Sequence, residues 1–541
     1  MADQRTTKPE LEHNEGDLKH NDVVLKSHHD HLGLWATIKR FKKAVLICNL
    51  LSIAAAADGY QYTMNGNVIA NQGFINHLGF LNDEGVYTLN AQYTALWGAM
   101  QSLGQMIGMV LLNPVSDRIG RKMTLYLLWI ILGGSIALET AVRDWRDWTG
   151  AKLLAGIGVG SLQATLPIYI TEWSPANIRG AMVLSYGFWN AIGKFLAPLV
   201  LTLVEKRDRL NYLDPILTQW GFLGIMLPIF LWLPETPHYY AERDMDERGK
   251  QALRRVNGNV KGYDVELEYS IIKNTILEER RLRQEALGPE GSKTWIRVMK
   301  SYIECFKGPN ARRTLGAALP ACAQQLTGLA FLNVYASLFF KQSGFTDAFL
   351  ITTILTVISM VTAIFLMLFT DKFGRRLVVL VSTIVCTIAM LIVGILGEVT
   401  VTAPLKKFLI FVACVWSFFS VALGALGWAF VGEIASQKLR ARTAGLAAGA
   451  SVVFGLTFNT SVPVILDVNG ADWGYKTAWL FFATGTVTSV IVYFFVPEPS
   501  RRNAAEMDEM FEKGVPAWKM KNYVTEIQTQ RQQNVEFKQT V

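Results

Sequence analysis

The chain is short of charge. Only 18% of its 541 residues are Asp, Glu, Lys or Arg, whereas 51% are hydrophobic and the mean hydropathy is +0.25. A soluble chain of this size carries more charge, because its surface must face water. Cysteine is scarce as well. Cys48, Cys305, Cys322, Cys386 and Cys414 are odd in number and form no Cys-x-x-Cys pair. They exclude a disulfide framework or thiolate metal site and read as small buried apolar side chains. No early apolar run marks a signal peptide, and the polar start reads as a disordered tail. Nucleotide loops, metal-ligand spacings and nucleophile triads are missing, so no enzyme, cofactor or metal is expected. The net charge of +8 does not indicate nucleic acid, because the basic residues sit in short loops between apolar blocks.

Those apolar blocks are the dominant feature. A helix rises about 1.5 Å per residue, so roughly 20 apolar residues cross a hydrocarbon core of about 30 Å. Twelve spans are expected at 44–64, 92–112, 123–142, 150–172, 181–203, 216–234, 314–340, 348–369, 377–397, 406–431, 443–466 and 478–496. Lys39, Arg40, Lys42 and Lys43 precede span 1, whereas the first loop, Asn65 to Asn90, holds no Lys or Arg. Basic residues return after span 2 (Arg118, Arg121, Lys122) and after span 8 (Lys372, Arg375, Arg376). This alternation places both termini and the basic turns in the cytoplasm.

An internal repeat organises the chain. Asp117-Arg118-Ile119-Gly120-Arg121-Lys122 recurs as Asp371-Lys372-Phe373-Gly374-Arg375-Arg376. Glu172 and Arg179 recur as Glu433 and Arg440, and Pro234-Glu235-Thr236-Pro237 recurs as Pro497-Glu498-Pro499. Three motifs in the same order imply two six-helix halves of the same orientation, related by an axis normal to the membrane. The expected organisation is a disordered cytoplasmic tail over 1–43, an N-terminal bundle over 44–234, a charged cytoplasmic linker with short helices over 235–313, a C-terminal bundle over 314–496 and a cytoplasmic tail over 497–541.

The repeated charges read as a gate. Glycine permits a tight turn between helices, and charges at membrane ends are cheaper to make and break than charges at mid-bilayer. Asp117, Arg118, Arg121, Glu172 and Arg179 in one half, with Asp371, Arg375, Arg376, Glu433 and Arg440 in the other, are expected to latch the halves together at the cytoplasmic side when the cavity faces outward. Ordinary basic turns that merely obey the orientation rule are the plainer alternative.

These motifs resemble the sugar porter family of the major facilitator superfamily over about residues 44 to 521. The matching segments are DRIGRK, DKFGRR, PIYITEWSPANIRG (167–180), PETPHYY (234–240), QQLTG (324–328), GWAFVGEIASQKLRAR (427–442) and PEPSRR (497–502). The end, from Phe511 to Lys519, is similar to the fungal α-glucoside and hexose permease branch. The resemblance implies an all-α membrane protein of the major facilitator fold. It also implies a monomer in the plasma-membrane bilayer that moves a sugar or glycoside by alternating access, with or without a proton. By the same resemblance Gln324, Gln325 and Asn333 would bond sugar hydroxyls, since an amide both donates and accepts, and Trp428 would stack on the ring. Core packing and helix–helix hydrogen bonding are the structural alternative for these side chains.

Departures from the family are several. Ala330 stands where the family usually has a sugar-binding Asn and Gly187 where it has Gln, while Ser359 and Ser451 replace amides but keep a hydroxyl for substrate. His238 and Asn113 differ at the cytoplasmic gate. Fewer amides imply a roomier, less polar pocket, so a non-sugar organic cargo, moved in or out, stands as the alternative; a non-transporting nutrient receptor is the third. In proton-coupled members a span 1 Asp pairs with a span 4 Arg; here those positions hold Gln61 and Lys152. Asp58, one turn before Gln61, is expected to pair with Lys152 and either carry the proton or serve helix packing.

Overall fold

The computed structural model describes residues 32–82, 85–287, 302–399, 402–435, 439–467, 471–499, 502, 504–526 and 528. Spans 1 to 6 are the helices Lys42–Val68, Ala91–Ile119, Arg121–Thr140, Trp145–Trp173, Arg179–Arg207 and Leu213–Trp232. Spans 8 to 12 are Ala348–Phe373, Arg375–Leu396, Ala403–Ile434, Arg440–Leu466 and Thr477–Phe495. Among the described residues, 11 helices have the length and apolarity to cross a membrane.

Span 7 is not among those eleven. The sequence predicts one helix over 314–340, but the chain breaks into Gly308–Leu326, a π-helical stretch Ala330–Val334 and a short helix Ala336–Gln342. At the break Gly328 has φ +99°, a left-handed conformation that costs glycine nothing and other residues about 1–2 kcal/mol. Backbone carbonyls freed inside a membrane need partners. Thr484 Oγ1 donates to the Leu326 carbonyl at 2.7 Å and Trp416 Nε1 to that of Thr327 at 2.9 Å. Spans 10 and 12 therefore hold the break open.

Small residues set the helix spacing, as expected where lipid removes any hydrophobic drive between helices. A Cβ on Gly59 of span 1 would sit 2.1 Å from the Asn190 carbonyl of span 5, and one on Gly193 would sit 2.0 Å from that of Ala56. The two backbones are in contact there. Within the predicted tail, Leu34–Arg40 is a helix, so the expectation of disorder to residue 43 fails. Phe41 stacks edge-on against Tyr263 of the linker and anchors it. The linker carries Pro237–Glu242, Asp246–Asn257 and Val265–Leu287. After span 12, Ala504–Glu512 packs Met507, Met510 and Phe511 into the C-terminal half, and Asp508 pairs with Arg313 at 2.6 Å. A two-residue hairpin, Phe80–Leu81 with Tyr87–Thr88, interrupts the otherwise helical plan between spans 1 and 2.

The hydrogen bonds between the two halves gather at the end opposite the basic turns. Ser337 donates to Asn67 at 2.6 Å, Lys341 to the Ala70 carbonyl at 2.7 Å, and Asn459 to Ser102 at 3.1 Å, while Thr202 meets Thr353 at 3.3 Å. At the basic end, Arg121 pairs with Glu172, Glu242 and Asp117 of its own half and linker.

Candidate transport site

The repeated turns are built alike. Gly120 and Gly374 have φ +98° and +79°, and each is followed directly by the next span. Glu235 accepts from the backbone N–H of Arg121 (3.1 Å) and Lys122 (3.0 Å); Glu498 accepts from those of Arg375 and Arg376, both at 3.1 Å. A carboxylate there satisfies orphan donors and complements the positive end of the helix dipole. The third repeated motif is thus the cap of the first. Arg121 gathers Glu172 at 3.0 Å, Glu242 at 3.2 Å and Asp117 at 3.5 Å, all from its own half and its linker. Glu172 is therefore bonded to Arg121, while Arg179 and Arg118 are exposed. Arg376 donates to the Tyr493 carbonyl at 2.7 Å. The side chains of Asp371, Glu433, Arg440 and Asn113 lie outside the described residues. His238, in the linker, is pushed down to about 4 by burial and by the positive charges of Arg179 and Arg121.

The expected Asp58–Lys152 pair does not form. Lys152 is fully buried and binds Glu139 of span 3 at 2.9 Å, with its ammonium 4.3 Å over the Trp148 ring. Gln61 donates to the same carboxylate at 2.5 Å and Gln219 of span 6 to its other oxygen at 2.8 Å. The acid of this charge pair stands on span 3, and span 1 contributes only an amide. Asp58 faces spans 4 and 5 instead. Its carboxylate accepts from Gln163 (3.0 Å), Tyr186 (2.9 Å) and Asn190 (2.8 Å), and Gln105 braces Gln163 at 2.6 Å. The physical reason is the helix period: Asp58 and Gln61 lie on neighbouring but distinct faces, and Lys152, on the side that Gln61 faces, is already neutralised by Glu139. Glu139, Gln163, Tyr186, Asn190 and Gln219 were missed by sequence reasoning. Their signal was present, because polar groups inside apolar runs need partners and mark function or packing.

In the C-terminal half, Gln324 donates to the Ser420 carbonyl of span 10 at 2.9 Å and lies against Gly424. Gln325 lies against Gly455 of span 11, where an added Cβ would come within 3.3 Å of its amide. Asn333 is half-buried in the π-helical stretch. Trp428 is 48% exposed, next to Gly427, which packs on the Pro320 carbonyl. The break in span 7 thus sets Gln324 and Gln325 on one segment and Asn333 on the next. Ser359 and Ser451 are bonded to their neighbours. Ser359 meets Ser417 of span 10 at 2.9 Å, and Ser451 donates to the Ala321 carbonyl at 3.4 Å. A hydroxyl on so short a stem bonds the nearest backbone or neighbouring helix.

Residues 47–511 match the family described as "Sugar (and other) transporter". The major facilitator-type transporter ecdD of Aspergillus rugulosus is 25% identical over 487 residues, 86% of this chain and 87% of that protein. The probable glucose transporter rco-3 of Neurospora crassa is 26% identical, covering 89% of this chain and 81% of that one. In fold, the chain is similar to the inward-open structure of the E. coli xylose transporter XylE, with TM-score 0.65 at 20% identity over 86% of this chain and 99% of that one. The XylE structure bound to 6-bromo-6-deoxy-D-glucose gives TM-score 0.63 at 19% identity, over 88% and 100%. With the family matched across most of its length and the major facilitator fold in place, this chain belongs to the sugar (and other) transporter family, as a multi-pass membrane carrier and not an enzyme.

Proposed function

We propose that the chain moves a sugar or glycoside across the plasma membrane by rocking its two halves about a central site, as a monomer with both termini in the cytoplasm. The observation that carries this reading is the broken span 7, which sets Gln324 against span 10 and Gln325 against span 11, with Asn333 on the next segment. With the basic turns inside, the cross-half bonds of Asn67, Ser102, Lys341 and Thr202 close the outer end, and the conformation is inward-facing. Arg121, Glu172 and Arg179, with their counterparts in the second half, then serve as latches whose bonds across the halves form only when the inner end closes.

Any proton carried with the cargo falls to Asp58. Neutralising Glu139 would strand the Lys152 ammonium in direct contact with it, whereas Asp58 is held by three uncharged donors and loses no contacting cation on protonation. The loss of the Ala330 and Gly187 amides supports a second reading, in which a non-sugar organic molecule is carried by the same fold. The test is uptake of mono- and disaccharides in a transporter-null yeast, with and without a protonophore. Sugar accumulation that collapses with protonophore in the wild type, but is absent in Asp58→Asn while downhill flux continues, is the expected result. No uptake of any sugar would promote the second reading.

A further inference from the structure

Span 5 carries a cation that neither the gate nor the Glu139–Lys152 pair uses. Lys194 stands near the middle of Arg179–Arg207, half-buried, with Arg179 and Arg207 at the two ends where cations are inexpensive. Among the described residues its ammonium makes no hydrogen bond and no close ion pair. It lies 5.7 Å over the Tyr62 ring and within electrostatic reach of Asp58. No Asp58–Lys194 ion pair forms, and the Asp58 carboxylate accepts instead from Gln163, Tyr186 and Asn190. An ammonium at mid-membrane with its donors unspent is an incomplete site.

Its surroundings lead to the cargo. Tyr62, beneath the ammonium, lies beside the Asn459 side chain of span 11. One turn earlier on span 11, Gly455 lies against Gln325. Lys194 therefore looks from the N-terminal half toward the same region that Gln325 faces from the C-terminal half. Across that region the chain lacks amides at Ala330 and Gly187 and has Ser359 and Ser451 turned to their neighbours, so recognition by counted hydroxyls is weakened where a fixed charge is present.

We propose that the cargo bears a carboxylate, as an acidic sugar or acidic polyol does, and that Lys194 receives it. This rests on the carrier reading above. A single ammonium beside Asp58 suits a monoanion; a phosphate ester would meet repulsion from Asp58 and would lack the guanidinium forks or backbone nest that usually hold it. The cargo's carboxylate takes the place that Asp58 fills at a distance in the empty site, and a proton on Asp58 makes that exchange neutral.

The experiment is uptake of radiolabelled D-glucuronate and D-glucose, the same ring with and without the carboxylate, into liposomes holding the purified protein. Glucuronate should enter at least tenfold faster than glucose. In Lys194→Gln that ratio should fall tenfold or more, and Lys194→Arg should keep most of it. A wild-type preference for glucose, or a ratio that Lys194→Gln leaves unchanged, overturns the proposal while the carrier reading stands. Loss of proton dependence in Lys194→Gln at an unchanged ratio also overturns it, making Lys194 the counter-ion of Asp58. Uptake of neither sugar defeats the sugar reading above and this proposal with it. If Lys194→Gln is not recovered, the wild-type ratio and Lys194→Arg decide.

Discussion

Ser337 donates a 2.6 Å hydrogen bond to Asn67, and through it the outer piece of span 7 is fastened to the end of span 1 across the two halves. Immediately before Asn67, Gly66 meets the other half with no side chain at all. A Cβ there would sit 1.9 Å from the Val334 carbonyl. Gly66→Leu should therefore wedge the outer end apart. We expect transport to fall more than tenfold with insertion intact. A cysteine placed at Ser102 should then react at least fivefold faster with an impermeant maleimide added opposite the basic turns. Unchanged labelling would mean that this contact does not close the carrier.

The Glu139–Lys152 pair predicts non-additivity. Breaking a buried pair from one side leaves an uncompensated charge, typically at a cost of about 3–5 kcal/mol, whereas replacing both partners by neutral groups is often tolerated. Glu139→Gln and Lys152→Met should each lower the melting temperature in detergent strongly, and the double variant should recover most of the loss. Additive losses would show that the two charges act independently.

The capping carboxylates make a matched pair of predictions. Glu235→Ala and Glu498→Ala should each cost about 1 kcal/mol, the usual value of an N-terminal cap, seen as a drop of a few degrees in melting temperature. Gly120→Ala should cost more. It forces a left-handed residue and brings a Cβ within 2.5 Å of the Glu235 carboxylate. Gly374→Ala, whose Cβ would stand 3.0 Å from Glu498, should be milder.

His238 gives a pH dependence with a definite sign. Burial first, then Arg179 and Arg121, bring it down to about 4 from an ordinary value of 6.5. Between those values the unfolded chain binds a proton that the folded chain refuses, so stability falls as pH drops through that window. The whole effect is about 3 kcal/mol at most, at one pKa shift unit per 1.36 kcal/mol. His238→Gln should flatten the decline in melting temperature between pH 7 and pH 5 relative to wild type. Parallel declines would assign the pH response to other groups.

The periodicity of apolar blocks and the repeated motifs placed the spans within a few residues, because both signals are local and lipid imposes one helix length on every crossing. Gln324 and Gln325 could be singled out from a motif for the same reason. Asp58 was visible as an acid in an apolar run, but its partner was not. A lone carboxylate announces only that it needs a donor, and spans 4 and 5 offered uncharged donors where Lys152 had been expected. Span 7 was misread as continuous, since nothing local separates a glycine that a helix tolerates from one at which it breaks.

What the sequence determined by itself was the number of crossings, the alternation of basic loops, the two-fold repeat and the family, all of which follow from hydropathy, charge and short motifs along one dimension. The tertiary structure alone decided which acid meets which base, where span 7 opens and where the two halves bond each other. Those outcomes depend on helix faces brought together from distant parts of the chain, where one turn of rotation exchanges one partner for another.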